Sequence, residues 1–139
     1  LKTIAVGSAT RVWGVNEAGE VFERTGSSWT KIDVGSLAAQ VAIGADGTLA
    51  IRSRDNNAVI GPSLDRMKRM VSDRQVVDVS VGSRDQVYFI DGDGDLYRWG
   101  GETNKLIGPM GKFTRVSAAS DGTVWAMNGQ GDIFKLGSL

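Results

Sequence analysis

The chain of 139 residues balances 16 Lys and Arg against 16 Asp and Glu, is 41% hydrophobic, and contains neither cysteine nor histidine. Zero net charge removes the general attraction to phosphate on which nucleic-acid and anionic-membrane binders rely; the missing Cys and His exclude disulfides, thiolate or imidazole metal sites and His-based triads. The size suits one domain, no apolar run reaches bilayer length, and the opening LKTIAVGSAT lacks the regions of a signal peptide, so a soluble chain without a cofactor is expected, its compartment left open with the cytoplasm favoured.

Four segments repeat along the chain: IAVGSATRVWGV from Ile4, VAIGADGTLAI from Val41, VSVGSRDQVYFI from Val79 and VSAASDGTVWAM from Val116. Their anchors Gly7, Gly44, Gly82 and Ala119 recur about every 37 residues. A second marker keeps the same phase: Val21-Phe22, Ala58-Val59, Leu96-Tyr97 and Ile133-Phe134. Apolar residues alternate over short runs bounded by Gly, Asp, Asn and Ser, the signature of half-buried strands. In the first unit, strand a ends at Gly7, strand b covers Arg11 to Val15, strand c Glu20 to Arg24 and strand d Trp29 to Ile32.

In the second unit Met67 and Met70 mark strand d. The surrounding run SLDRMKRMV is the only one with helical spacing, and the repeat phase favours a strand there. In the third unit Ile107-Gly108-Pro109 aligns with Ile60-Gly61-Pro62, which makes Phe113 and Val116 the d-strand marker and residues 100–105 an added loop. The fourth unit ends after Ile133-Phe134 without a strand d. The expected fold is all-β, a β-propeller of four-stranded antiparallel blades with about four repeats. The repeats run over 1–34, 35–72, 73–116 and an incomplete 117–139.

Asp91, Asp93, Asp95 and Glu102 have the spacing of an EF-hand calcium loop. Leu96 stands where that loop needs glycine, and the repeat aligns IDGDGDLY with VNEAGEVF and MNGQGDIF. An ordinary b–c hairpin turn is therefore the main reading and calcium the alternative, with Gly19, Gly94 and Gly131 at one shared position of positive φ. The acids all fall in such loops, so no catalytic carboxylate pair is expected and the chain reads as a non-enzyme. Trp13 and Trp125, at equivalent strand-b positions, are expected to pack between blades.

The residues Trp13, Asn16, Val21, Phe22, Arg24 and Trp29 of the first unit give it a text that resembles the tectonin repeat of tachylectin-1-like lectins. The resemblance fades along the chain. It implies a propeller, mostly of six blades, that binds sugars such as lipopolysaccharide or methylated glycans, some members serving as protein-interaction modules. On that basis a non-catalytic, multivalent carbohydrate-binding protein is expected, with glycans as partners. A protein-interaction scaffold, or an excised or engineered segment that assembles into a ring, is the alternative. Exposed aromatic rings beside polar groups suit a sugar's mixed surface. The expected ligand contacts are Arg24, Trp29, Arg98, Trp99 and Asn104, each at or beside a loop that follows strand c. Four anchors fall short of six blades, and the end GSL runs in phase into the start LKTIAVG as GSLAAQVAIG does internally. A homo-oligomer that closes the ring is thus expected, against a closed four-bladed monomer.

Overall fold

The computed structural model describes residues 1–55, 57–61, 68–69, 75–99, 104–107 and 112–136. Among them fifteen strands form four antiparallel meanders, and no helix is long and apolar enough to cross a membrane. The first sheet runs β1 (Thr3–Ser8), β2 (Arg11–Val15), β3 (Val21–Thr25) and β4 (Ser28–Ile32); the second runs β5 (Ala38–Ile43), β6 (Leu49–Ser53), β7 (Ala58–Gly61) and β8 (Lys68–Arg69). The third runs β9 (Val76–Ser83), β10 (Gln86–Asp91), β11 (Leu96–Trp99) and β12 (Asn104–Ile107), and the fourth β13 (Phe113–Ala118), β14 (Val124–Asn128) and β15 (Ile133–Leu136). These sheets are propeller blades.

Period-two patterning makes the strands. In β14 Val124 and Ala126 are buried while Trp125 between them is exposed, the alternation a pleated strand imposes. The b–c loops turn on glycines with φ of 85° at Gly19, 82° at Gly94 and 89° at Gly131, where a Cβ would be strained. The side-chain oxygens of Asn16, Asp91 and Asn128 accept from the backbone N–H of Glu20, Asp95 and Asp132, closing each loop. The loops also stitch neighbouring blades: the carbonyls of Gly19 and Gly94 accept from the N–H groups of Ala38 (2.9 Å) and Phe113 (2.8 Å).

The core lies between the sheets. Trp13, Val15 and Val21 of the first blade pack with Val41, Ile43 and Ile51 of the second. Ala42 and Ala50 pack with Val79, Val81 and Phe89 of the third, and Tyr88, Ile90 and Leu96 with Phe113, Val116 and Val124 of the fourth. Each large side chain so buried contributes about 1.5–3 kcal/mol, so stability comes chiefly from stacking one blade on the next. The anchors set the spacing. A Cβ on Gly7 would stand 2.6 Å from the Gly44 carbonyl oxygen, one on Gly44 2.8 Å from that of Gly82, and one on Gly82 closer still to that of Ala119.

A buried carboxylate ties three blades together. Asp78 accepts from Gln40 Nε2 of the second blade (2.7 Å) and from the Val116 N–H of the fourth (2.8 Å). Gln40 Oε1 in turn accepts from Arg52 Nε at 3.0 Å. Burial lowers the Arg52 pKa and the nearby Asp78 charge opposes that shift. At the surface, Asp46 accepts from the N–H groups of Thr48 (3.0 Å) and Arg84 (2.8 Å), a second link from the second blade to the third. Desolvation would raise its pKa, and those backbone N–H groups outweigh it, so the carboxyl lies below its usual range. A folded pKa below the unfolded one means that the unfolded chain takes up the proton first as pH falls. The Asp46 contribution is therefore whole above about pH 4 and fades as pH drops through its lowered folded value. Urea midpoints of Asp46→Asn should accordingly fall less steeply than wild type below about pH 4.

Four details differ from the sequence reading. Asn104–Ile107 pairs with β11 as the outer strand of the third blade, so that part of the expected added loop is strand d, while 100–103 lie outside the described residues. Phe113–Ala118 is the inner strand of the fourth blade, not the outer strand of the third, because Phe113 and Val116 take the inward positions that Ala38 and Val41 hold in β5. Ile60 thus lies in a strand c and Ile107 in a strand d, so the two Ile-Gly-Pro runs are not equivalent. Trp13 is buried between blades as expected, whereas Trp125 is exposed, since no blade among the described residues packs on its side of the fourth sheet. The Met67 and Met70 marker and most of SLDRMKRMV lie outside the described residues, with only Lys68–Arg69 seen, as strand β8.

Candidate functional site

A cleft of about 550 Å³ lies at the crossover from the first blade to the second, lined by Gly19, Glu20, Val21 and Lys31 through Val34, with Ser36 and Leu37. It forms where the b–c loop of one blade meets the crossover into the next. Its lining combines the apolar Val21, Ile32, Val34 and Leu37 with the polar Glu20, Lys31, Asp33 and Ser36. Lys31 Nζ donates to Glu20 Oε1 at 2.5 Å, and Asn16 Nδ2 donates to Glu20 Oε2 at 2.9 Å. The Lys31 and Asn16 hydrogen bonds hold the Glu20 carboxyl below its usual range. The result is a fixed, ionised acceptor beside a cation. Arg54 of the second blade donates to the Glu17 carbonyl and packs over Gly19.

The five expected contact residues lie at the other end of the outer strands. A two-residue turn at Gly26 pairs Thr25 with Ser28 and so sets Arg24 opposite Trp29; in the third blade Trp99 faces Asn104 and Arg98 faces Lys105. The pairs Arg24–Trp29 and Trp99–Asn104 therefore occupy matching rungs beside the two c–d hairpins. Arg24 Nε is held by the Gly26 carbonyl (3.0 Å) and the Arg98 guanidinium by that of Asp85 (2.7 Å). Trp99 packs on the core, whereas Trp29 remains 39% exposed. The cleft residues Val21 and Ile32 pair at the opposite end of β3 and β4, so cleft and hairpin rim open on opposite faces of the propeller.

The carboxylates of Asp91, Asp93 and Asp95 lie within 4.8 Å of one another. Asp91 Oδ1 accepts from the N–H groups of Asp93 and Asp95, both at 3.0 Å. Asn128 makes the same pair of bonds to Gln130 and Asp132 in the fourth blade, so this is the repeat's b–c turn in its acidic form. Glu102 lies outside the described residues.

A family profile described as "Tectonin domain" matches residues 1–135. The chain belongs to the tectonin family. Comparison with curated protein sequences finds no match. Among solved structures, YCF48 bound to D1 peptide superposes with a TM-score of 0.70 at 12% identity, over 96% of this tectonin chain and 49% of the other. YCF48 from Cyanidioschyzon merolae gives 0.69 at 12% identity over the same shares. A streptogramin B lyase gives 0.60 at 11% identity, over 95% and 52%. At such identities the likeness is one of propeller fold. The tectonin chain spans about half the length of these relatives.

Two features of the site were not anticipated. The cleft needs the crossover 33–37 folded back over a neighbouring blade. The acid of its ion pair recurs as Glu20, Asp95 and Asp132, each four residues after the loop-capping Asn or Asp, and that regularity is readable from the aligned repeats.

Proposed function

We propose that this tectonin domain is a non-catalytic carbohydrate-binding module whose primary subsite is the cleft at the crossover from the first blade to the second. The observation that carries the reading is a lining that sets apolar Val21, Ile32, Val34 and Leu37 beside polar Glu20, Lys31, Asp33 and Ser36. A pyranose has an apolar C–H face and a rim of hydroxyls that both donate and accept. Its volume falls in the range of small-ligand sites. The Glu20–Lys31 pair cancels its own charge and Asp33 leaves the lining one negative charge, which disfavours anionic sugars and fits a neutral or O-methylated one, the methyl group resting on the apolar lining residues. The recurrent acids Asp95 and Asp132 support weaker copies of the subsite at other blades and hence a gain from multivalency. Trp29, with Arg24 across from it, is the candidate for an additional stacking contact on the opposite face, whereas Arg98, Trp99 and Asn104 are secondary candidates there.

A glycan array followed by calorimetric titration tests this. The wild-type chain should bind neutral or O-methylated hexosides, and Lys31→Ala should weaken binding about tenfold, the cost of one charge-assisted hydrogen bond. Leu37→Trp, which fills the cleft from an exposed position, should abolish it with the fold intact by circular dichroism. Absence of binding to any glycan, or unchanged affinity in both variants, would refute the assignment.

A further inference from the structure

Asn128-Gly129 is the only asparagine–glycine step in the chain; Asn16, Asn56, Asn57 and Asn104 are followed by Glu, Asn, Ala and Lys. An asparagine side-chain amide can be attacked by the peptide nitrogen of the residue that follows it. Glycine leaves that nitrogen unshielded, because it has no Cβ and its backbone turns freely. The step lies in the b–c turn of the fourth blade, with Asn128 half-buried and Gly129 exposed. That exposure belongs to the turn itself: Glu17 and Gly92, the counterparts of Gly129 at junctions where a further blade packs, are exposed as well.

The turn polarises the amide. Asn128 Oδ1 accepts from the N–H groups of Gln130 and Asp132, both at 3.0 Å, donors placed to hold the negative charge this oxygen gains when its carbon is attacked. Nδ2, the nitrogen that would leave, donates to Asp132 Oδ2 at 3.1 Å. The Gly129 N–H makes no hydrogen bond among the described residues, so its nitrogen is not committed elsewhere. The product also fits. In the third blade Asp91, at the same place, accepts from the N–H groups of Asp93 and Asp95, both at 3.0 Å, so an aspartate serves this turn as an asparagine does.

We propose that Asn128 is a site of spontaneous deamidation in the folded protein. The Gly129 nitrogen bonds to Cγ of Asn128 and gives up its proton, the Cγ–Nδ2 bond breaks, and ammonia leaves with that proton. One water molecule then opens the cyclic imide. Attack at Cγ gives aspartate in the normal main chain, and attack at the main-chain carbonyl gives isoaspartate. The aspartate keeps the acceptors of the turn and adds a negative charge beside Asp132, where Nδ2 had donated. The isoaspartate adds one carbon to the main chain between β14 and β15. The modification is independent of the sugar reading.

Trypsin cleavage at Arg115 and Lys135 isolates Asn128 in one peptide, and cleavage at Arg11 and Arg24 isolates Asn16 in another. Asn16 is the internal comparison, since it holds the same turn of the first blade with Oδ1 and Nδ2 both bonded to Glu20. After the folded full chain is kept in warm, mildly alkaline buffer, mass spectrometry should find the first peptide heavier by about 1 Da, with aspartate and isoaspartate at position 128, and the second peptide unchanged. At Gly129, which lies outside the positive-φ region, an added Cβ would meet only Thr114 Cγ2 at 3.8 Å. Gly129→Ala should therefore fold, and should slow the conversion about tenfold, while Glu17→Gly should make Asn16 convert as well. Intact Asn128 in the folded chain, conversion only after unfolding in urea, or a Gly129→Ala variant that converts as fast as wild type would each overturn the proposal.

Discussion

Gly82→Ala is expected to lower the unfolding free energy by about 3 kcal/mol, the upper range for forced overpacking. The added Cβ would press on the carbonyl group of Ala119 and the nitrogen of Ser120. These are backbone atoms of the turn that follows the next blade's inner strand, which cannot swing aside as the tip of a lysine would. The strand lies between two blades whose cores are filled by Val79, Val81, Val116 and Val124, so relief requires moving a whole blade outward. Gly92→Ala is the control: its Cβ would meet only the Gln75 side chain at 3.9 Å, and the effect should stay within about 0.5 kcal/mol. Urea denaturation of the two variants separates packing at the axis from any general intolerance of alanine.

Asp78→Ala is expected to cost about 4 kcal/mol, the range for removing one partner of a buried charged network. Three groups lose their acceptor or countercharge at once: the Val116 N–H, the Gln40 amide and the half-buried Arg52 guanidinium. Because these come from blades two and four, the loss should loosen both junctions of the third blade. Asp78→Asn keeps the shape and one acceptor and should cost about half as much. A urea midpoint of Asp78→Asn equal to that of wild type would show that the charge contributes nothing.

Much of the blade architecture was legible because each blade repeats one register. Val21, Ala58, Leu96 and Ile133 each open a third strand, as the repeat phase requires. The third blade's outer strand was not legible. Its sequence NKLI carries no aromatic marker, while Phe113 does, and spacing alone does not tell whether a bulky apolar residue ends one sheet or begins the next. The anchors were legible as a pattern but not as a cause, since the reason for glycine is a carbonyl from another blade.

The site divides in the same way. Arg24 with Trp29 could be placed at a hairpin end, because a two-residue turn fixes its own neighbours; the pairing of Trp99 with Asn104 could not, since four residues separate them and spacing put Asn104 in an added loop. The Glu20–Lys31 cleft could not, because it depends on how far the crossover 33–37 stands from the adjacent blade. Asp78 left a faint trace: Thr3, Gln40, Asp78 and Arg115 put a polar residue at the same place in every inner strand, and only stacking shows that three of the blades meet there.

The most direct test is a nitrogen–proton correlation spectrum of the full chain titrated with O-methylated hexoses. Shift changes confined to residues 19–21 and 31–37, absent in Leu37→Trp, are the predicted result. Changes centred instead on Arg24, Trp29 and the Trp99 hairpin, or none at saturating sugar, would contradict a carbohydrate site in the junction cleft.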